Sequence, residues 1–385
     1  MRKRISALLG AAALALALAG CGSNSQATAS APSAAETTAA EAADAETAGE
    51  EETGTEETAA EKTEAAGTAD TVSAATKSPS LETDLEEILA EVDKLVYENQ
   101  EGQLVVSHKF GETVMPENPE RIVSIKLEDL MLALDVDMVA CRNFETFYLE
   151  DQINELGIGT ITVDEEANTV NFEEVLSYKP DLIVIRDAFD QTIYDELSKI
   201  APTIAFRLQD SRISLVALGR ALGIEDKAVS RLGQYEKKIA DAKEALSSLE
   251  GQQVAMLRIL KKEIRLYPYS KNDMSSFLYL DLGLTPDPMV EEYDNADNLA
   301  ISMEMLPELT ADHIFLIAGY GSNTDEAVAE AKKRYDDIKA DPLWQMVPAV
   351  QSGQVYEVDS RIWLTHGILA TEVKIDDVLD ALLPQ

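Results

Sequence analysis

The pattern of apolar and polar positions divides the chain into three stretches. Leu8 to Ala19 is an apolar run without charge, too short for a comfortable bilayer span. Residues 22–80 hold no aromatic residue and scarcely any large aliphatic one, so they cannot bury enough surface to fold. From Leu81 the pattern becomes that of a folded protein. Leu85, Ile88, Leu89, Val92, Leu95 and Val96 recur at helical spacing and predict an amphipathic helix. Short extended segments follow near Leu104–Ser107 and Glu112–Val114. Apolar strands are then predicted at Arg121–Ile125, Met138–Cys141, Thr160–Val163, Asp181–Ile185 and Thr203–Phe206. Helical patterns separate them, notably Leu127–Leu134, Phe172–Tyr178 and Ile193–Ile200. A proline-free helical stretch from about Glu225 to Leu249 would be roughly 37 Å long at the α-helical rise. A second series follows: Gln253–Leu260, Glu263–Tyr267, Met274–Leu282, His313–Ala318, Gln354–Val358 and a closing helix near Ile368–Leu383.

Continuous apolar strands alternating with helices imply a parallel sheet covered on both faces. The expected fold class is α/β, with two lobes, each a mostly parallel sheet covered by helices, joined by one long backbone helix. The expected boundaries are a signal over 1–20, a tether over 21–80, one lobe over 81–224, the joining helix over 225–250 and a second lobe over 251–385. A weak internal echo supports two similar lobes. Asn171-Phe-Glu-Glu-Val-Leu leads through Asp181 into Leu182–Ile185, and Ser302-Met-Glu-Met-Leu leads through Asp312 into Ile314–Ile317.

Charge narrows the function. The 385 residues carry 71 acids against 32 Lys plus Arg, a net charge of −39. Nucleic-acid binding needs a basic surface, and anionic lipid headgroups need a polybasic patch; neither fits. The region 81–385 alone carries a net −32, so the acid belongs mostly to the folded part. Two Cys cannot build a disulfide framework, and three His leave little room for an all-protein zinc site.

Arg2, Lys3 and Arg4 precede the first apolar run, as in an export signal. The run ends at Leu18-Ala19-Gly20-Cys21, which resembles the lipobox of bacterial lipoproteins. That resemblance implies a diacylated Cys21 and a protein anchored by lipid on the extracytoplasmic face of a bacterial cell membrane. The tract behind it would span roughly 40–45 Å as a flexible chain, and its acids should lengthen it. A tether is one use for it, and a spacer of no particular length is another. Cys141 fits a small buried hydrophobe.

Further motifs carry a second resemblance. They are Pro116-Glu-Asn-Pro119-Glu-Arg121-Ile-Val-Ser, Glu174-Val-Leu-Ser-Tyr-Lys-Pro180-Asp-Leu-Ile-Val and Leu197-Ser-Lys-Ile-Ala-Pro202-Thr. Val254-Ala-Met-Leu-Arg258-Ile, Ile264-Arg-Leu-Tyr267, Pro342-Leu-Trp344 and Ala349-Val-Gln-Ser-Gly353-Gln-Val-Tyr356 continue them. In order and spacing, from about residue 104 to the end, the chain resembles the substrate-binding lipoproteins of iron–siderophore ABC importers. The resemblance implies capture of a ferric siderophore between two lobes, little hinge motion, and delivery to an ABC permease with its ATPase. It implies no cofactor beyond the ferric chelate itself, and a monomer. It also implies that an acid on each lobe docks to permease arginines. Asp129 matches that position in the first lobe, with Glu128 as the fallback. The second-lobe position holds Ser276, which departs from the pattern, although Asp273 and Asp281 lie close by.

Ligands of parallel sheets bind beyond the carboxyl ends of the strands. Lys126, Arg142 and Arg186 follow strands there, as does Arg207. In the second half Arg258 lies in a strand, while Tyr320 and Arg361 follow strands. Long cations end strands for a plain reason too, because their heads reach water easily. Taken together, in so acidic a chain, they point to a cleft that binds an anion through bidentate guanidinium contacts. Arg258 also matches the ligand-contacting arginine of the family. Tyr267 and Tyr269, and Trp363 with His366 in a loop-like segment, are candidate walls for planar chelating groups. Each of these aromatics could equally be core, and His366 a structural histidine.

Rival functions leave weaker traces. Gly319-Tyr-Gly321-Ser322 lacks the nucleophile-elbow order, and neither a phosphate loop nor a dinucleotide fingerprint is present. An enzyme is therefore not expected. His108, His313 and His366 are scattered, which disfavours a direct metal-ion site. A haem or cobalamin binder of the same fold stays open as the alternative.

Overall fold

The computed structural model describes residues 81–383, except residues 166, 271–273, 295–297 and 319–324. Tyr320 and Asp273 lie outside the described residues, as do Cys21, the signal and the tether.

The first lobe is built on five parallel strands. Their spatial order is Thr203–Phe206, Leu182–Arg186, Ile122–Ile125, Ala140–Arg142 and Gly159–Ile161. Both faces are buried, as the near-continuous apolar strands require. Val123, Ile125, Ile183 and Ile185 pack into one cluster, while Ile122, Leu182, Val184, Ile204 and Phe206 join another on the opposite face. Helices at Phe172–Ser177 and Gln191–Ser198 start on side-chain caps. Asn171 accepts from the Glu174 amide at 3.2 Å and Asp190 from the Ile193 amide at 2.9 Å. The amphipathic helix Leu81–Leu95 packs on the helix Ser211–Ala221, which the apolar pattern did not single out. An antiparallel sheet of Val96–Glu98, Leu104–His108 and Gly111–Val114 lies against the Thr203 edge, where the Thr113 hydroxyl donates to the Thr203 carbonyl at 2.8 Å.

The long helix runs from Glu225 to Leu246, ending in a 3₁₀ turn at Ser247–Leu249. Its 22 residues span roughly 33 Å. The second lobe has a mixed sheet. Gln253–Ile259, His313–Ala318 and Val355–Val358 are parallel neighbours. Ile264–Leu266 and Leu299–Ile301 add an antiparallel side.

The internal echo has a physical basis. Asp181, before its strand, accepts from the Glu120 and Arg121 amides at 2.9 and 2.8 Å. Asp312 accepts from the Gln253 amide at 2.7 Å. In each lobe an aspartate therefore pins the start of the neighbouring strand. The helical halves differ, because Met303–Glu308 is a 3₁₀ helix that Ser302 does not cap through its side chain.

Several contacts tie the lobes. The closing helix Ile368–Leu382 lies along the long helix, with Arg231–Glu372 at 2.7 Å and Lys238–Asp376 at 2.6 Å. Arg212 of the first lobe pairs with Glu236 of the long helix at 2.5 Å and with Asp281 of the second lobe at 3.0 Å. Three elements meeting on one guanidinium oppose a hinge.

Candidate ligand-binding site

The site is assembled where carboxyl ends of strands fall. Lys126 follows Ile122–Ile125 in a left-handed backbone conformation, φ 66°, that turns its side chain off the sheet edge. Arg142 ends the adjacent strand Ala140–Arg142, so the two cations stand side by side. One carboxylate bridges them. Glu165 lies 2.9 Å from Lys126 Nζ and 2.9 Å from Arg142 Nη1. Lys126 also donates to Asn168 Oδ1 at 2.8 Å and lies over the Phe189 ring. The Arg142 guanidinium rests 4.5 Å above the Phe147 ring. Burial opposes the charge of Glu165, yet Arg142 and Lys126 hold its carboxyl below the usual range.

Glu128 and Asp129 do not face a partner. Both are buried. Glu128 accepts from the Lys126 and Arg142 amides at 2.7 and 3.2 Å, and its other oxygen lies 3.4 Å from the Arg142 guanidinium. Asp129 caps the closing helix of the other lobe. It accepts from the Leu369 and Ala370 amides at 3.1 and 2.9 Å, and from the Tyr148 hydroxyl at 2.7 Å. Burial pushes both carboxyls up, while these donors pull them back. The docking role expected of the pair is therefore corrected: Asp129 is an interlobe clasp and Glu128 a support for Arg142. Ser276 likewise lines a cavity of ≈ 280 Å³ at the lobe junction, with Arg212, His366 and Lys374.

Arg186 ends its strand beside Ile122–Ile125 and reaches the second lobe, where Arg186 Nη2 lies 3.5 Å from His366 Nδ1. Burial, with Arg186 and Lys374 nearby, pushes His366 down to about 3, so the ring is neutral at pH 7. Arg361 forks onto Asp359, just past the carboxyl end of Val355–Val358. With Phe147, Tyr148 and Glu150 of the first lobe it lines a cavity of ≈ 250 Å³. The carboxyl edges of the two sheets thus meet.

Arg258 belongs to a second cationic group. It lines a cavity of ≈ 420 Å³ with Lys261, Lys262, Glu263 and Arg265. Arg265 stands opposite Arg258 in the antiparallel register. Lys261, Lys262 and Arg265 were missed from sequence, although three bases in five residues of an acidic chain are a visible signal. Arg207, the fourth strand-end cation, is exposed and pairs with Asp210 at 3.4 Å.

Two aromatic candidates are core instead. Trp363 is fully buried, stacks on Phe315 at 5.0 Å and donates to Asp377 at 2.8 Å. Its segment is a helical turn, Ser360–Trp363, rather than an open loop. Tyr267, one residue past the strand Ile264–Leu266, is buried as well. Tyr269 is half-buried against Tyr279, 5.7 Å between rings. Among the described residues no cluster of three or more His, Cys, Asp or Glu is placed to hold a metal ion. No helix among them is long and apolar enough to cross a membrane.

The family profile described as periplasmic binding protein matches residues 127–362. The chain belongs to that family. As a periplasmic binding protein it is a solute binder and not an enzyme. The chain is 29% identical over 71% of its length to the probable siderophore-binding lipoprotein YfiY of Bacillus subtilis, covering 86% of that protein. It is 28% identical over 71% of its length to the Fe(3+)-citrate-binding protein YfmC of the same organism, covering 84% of it. The structure of Staphylococcus aureus SirA complexed with staphyloferrin B superposes with a TM-score of 0.62 at 26% identity. That alignment covers 72% of this chain and 98% of SirA. In this periplasmic binding protein, then, Asp129 of the first lobe holds the start of the closing helix of the second.

Proposed function

We propose that this protein captures a ferric siderophore between its lobes and delivers it to an ABC permease with its ATPase for iron uptake. The observation that carries the reading is the placement of Lys126, Arg142, Arg186 and Arg258 on the carboxyl edges of the sheets, in a chain of net charge −39. Planar guanidinium groups match carboxylate and catecholate oxygens bidentately and keep their charge when desolvated. The chelate is therefore an anionic carboxylate or catecholate type rather than a neutral hydroxamate. Relatives named for siderophore and Fe(3+)-citrate binding fit that chemistry.

Arg258→Ala is expected to weaken binding of the ferric chelate by more than about tenfold, the loss of one charged contact. The melting temperature should not change. Unaltered affinity would place the site elsewhere.

We also propose that Cys21 carries the lipid that anchors the chain outside the cell membrane, with residues 22–80 as its tether. Cys21→Ala should appear in the medium, and retention in the membrane fraction would refute the anchor. With Glu128 and Asp129 buried, permease contact falls to other acids of the surface.

A further inference from the structure

Glu165 is an unusual member of the cation site. Lys126 and Arg142 come from adjacent strands of the central sheet, whereas Glu165 comes from the turn of a small hairpin, Val163–Asp164 with Thr169–Val170. Its side chain is 24% exposed, against 12% for Lys126 and 14% for Arg142. The carboxylate is thus on the most exposed side chain of the three. Its two oxygens split between the two cations, each at 2.9 Å. With Glu128 already beside Arg142, the group of two cations and two carboxylates is neutral. The cations gain a net positive field only when Glu165 leaves.

We propose that Glu165 stands in for the anionic oxygens of the ligand, holding Lys126 and Arg142 in the free protein and exchanging with carboxylate or catecholate oxygens on binding. The inference rests on the reading of the site as an anionic-chelate site. Two nearly buried cations without an anion would be costly, so the free protein needs an internal partner. An anionic ligand restores both ion pairs as the glutamate swings out, and the exchange costs little. A neutral chelate cannot restore them, because its arrival would leave either the cations unpaired or the carboxylate in place. The residue thereby acts as an internal competitor that keeps the cations paired in the free protein and that only an anionic ligand has to displace.

The test is calorimetric titration of the full chain and its Glu165→Gln variant with iron-free citrate, ferric citrate and an uncharged ferric trihydroxamate. Glu165→Gln should bind both citrate forms at least about fivefold more tightly, the effect of freeing one partly exposed ion pair. The trihydroxamate should change by less than about twofold. Adding Lys126→Met should cancel the gain for citrate. Glu165→Ala should repeat it. Equal or weaker citrate binding by both Glu165 variants would overturn the exchange. A gain for iron-free citrate with no binding of any ferric chelate would uphold the exchange and instead remove the functional reading beneath it.

Discussion

Asp129→Ala is expected to lose about 3–5 kcal/mol of folding stability, the scale of breaking a buried, multiply hydrogen-bonded charge. The residue satisfies two orphan amides at the start of the closing helix, at Leu369 and Ala370, and also takes the Tyr148 hydroxyl. Alanine would take the acceptor from all three donors, one of them fully buried. Because Asp129 sits in the first lobe and the helix in the second, the loss should also loosen the lobes. Gly367 has to be glycine for the same reason. Its φ is 131°, and a Cβ there would lie 2.2 Å from Asp129 Cγ. Gly367→Ala should therefore destabilise too, and the double variant should cost less than the sum, since the clash vanishes with the carboxylate. Urea unfolding measures this, and a loss below about 1 kcal/mol for Asp129→Ala would contradict the clasp.

Lys374 should set a pH dependence of stability. It is 2% exposed, donates to the Thr365 carbonyl at 2.6 Å and lies over the Phe277 ring. Burial pushes it down to about 7, against a modest pull upward from Asp129. In the unfolded chain it titrates near its ordinary value of about 10.4. Between those values the unfolded state binds a proton that the folded state does not. Stability must then rise as pH rises from about 7 to 10, and be lowest and flat below 7, as far as this group is concerned. The full span is of the order of 4 kcal/mol. Lys374→Met removes the buried amine. The variant is expected to be more stable than wild type at pH 7, with the difference shrinking towards pH 10. Denaturant midpoints across that range decide it, and a variant less stable at pH 7 would show that the Thr365 hydrogen bond outweighs the burial.

Local pattern made part of this site legible. Apolar strands such as Leu182–Arg186 mark their own carboxyl ends, so the positions of Lys126, Arg142 and Arg186 followed from where each run stops. What local pattern could not supply was the partner across space. Glu128 and Asp129 sit in the first turn of a helix, where acids usually face water, and only the closing helix 240 residues later buries Asp129. Glu165 is one acid among many, and nothing near it announces the two cations. Trp363 lies among Thr and Gly residues that suggest a loop, yet it stacks on a strand residue, Phe315. Lys374 did leave a trace. It falls four residues after Ala370 and four before Val378, on the buried face of its helix.

Cations on the carboxyl edges of two clasped lobes are expected to select an anionic ferric chelate. Calorimetric titration of the purified protein against ferric citrate, a ferric catecholate, an uncharged ferric trihydroxamate, haem and cobalamin tests this most directly. Tight, salt-sensitive binding of an anionic ferric chelate is expected, with much weaker binding of the uncharged one. Tight binding of cobalamin or haem alone, or of the trihydroxamate in preference to both anionic chelates, would contradict it.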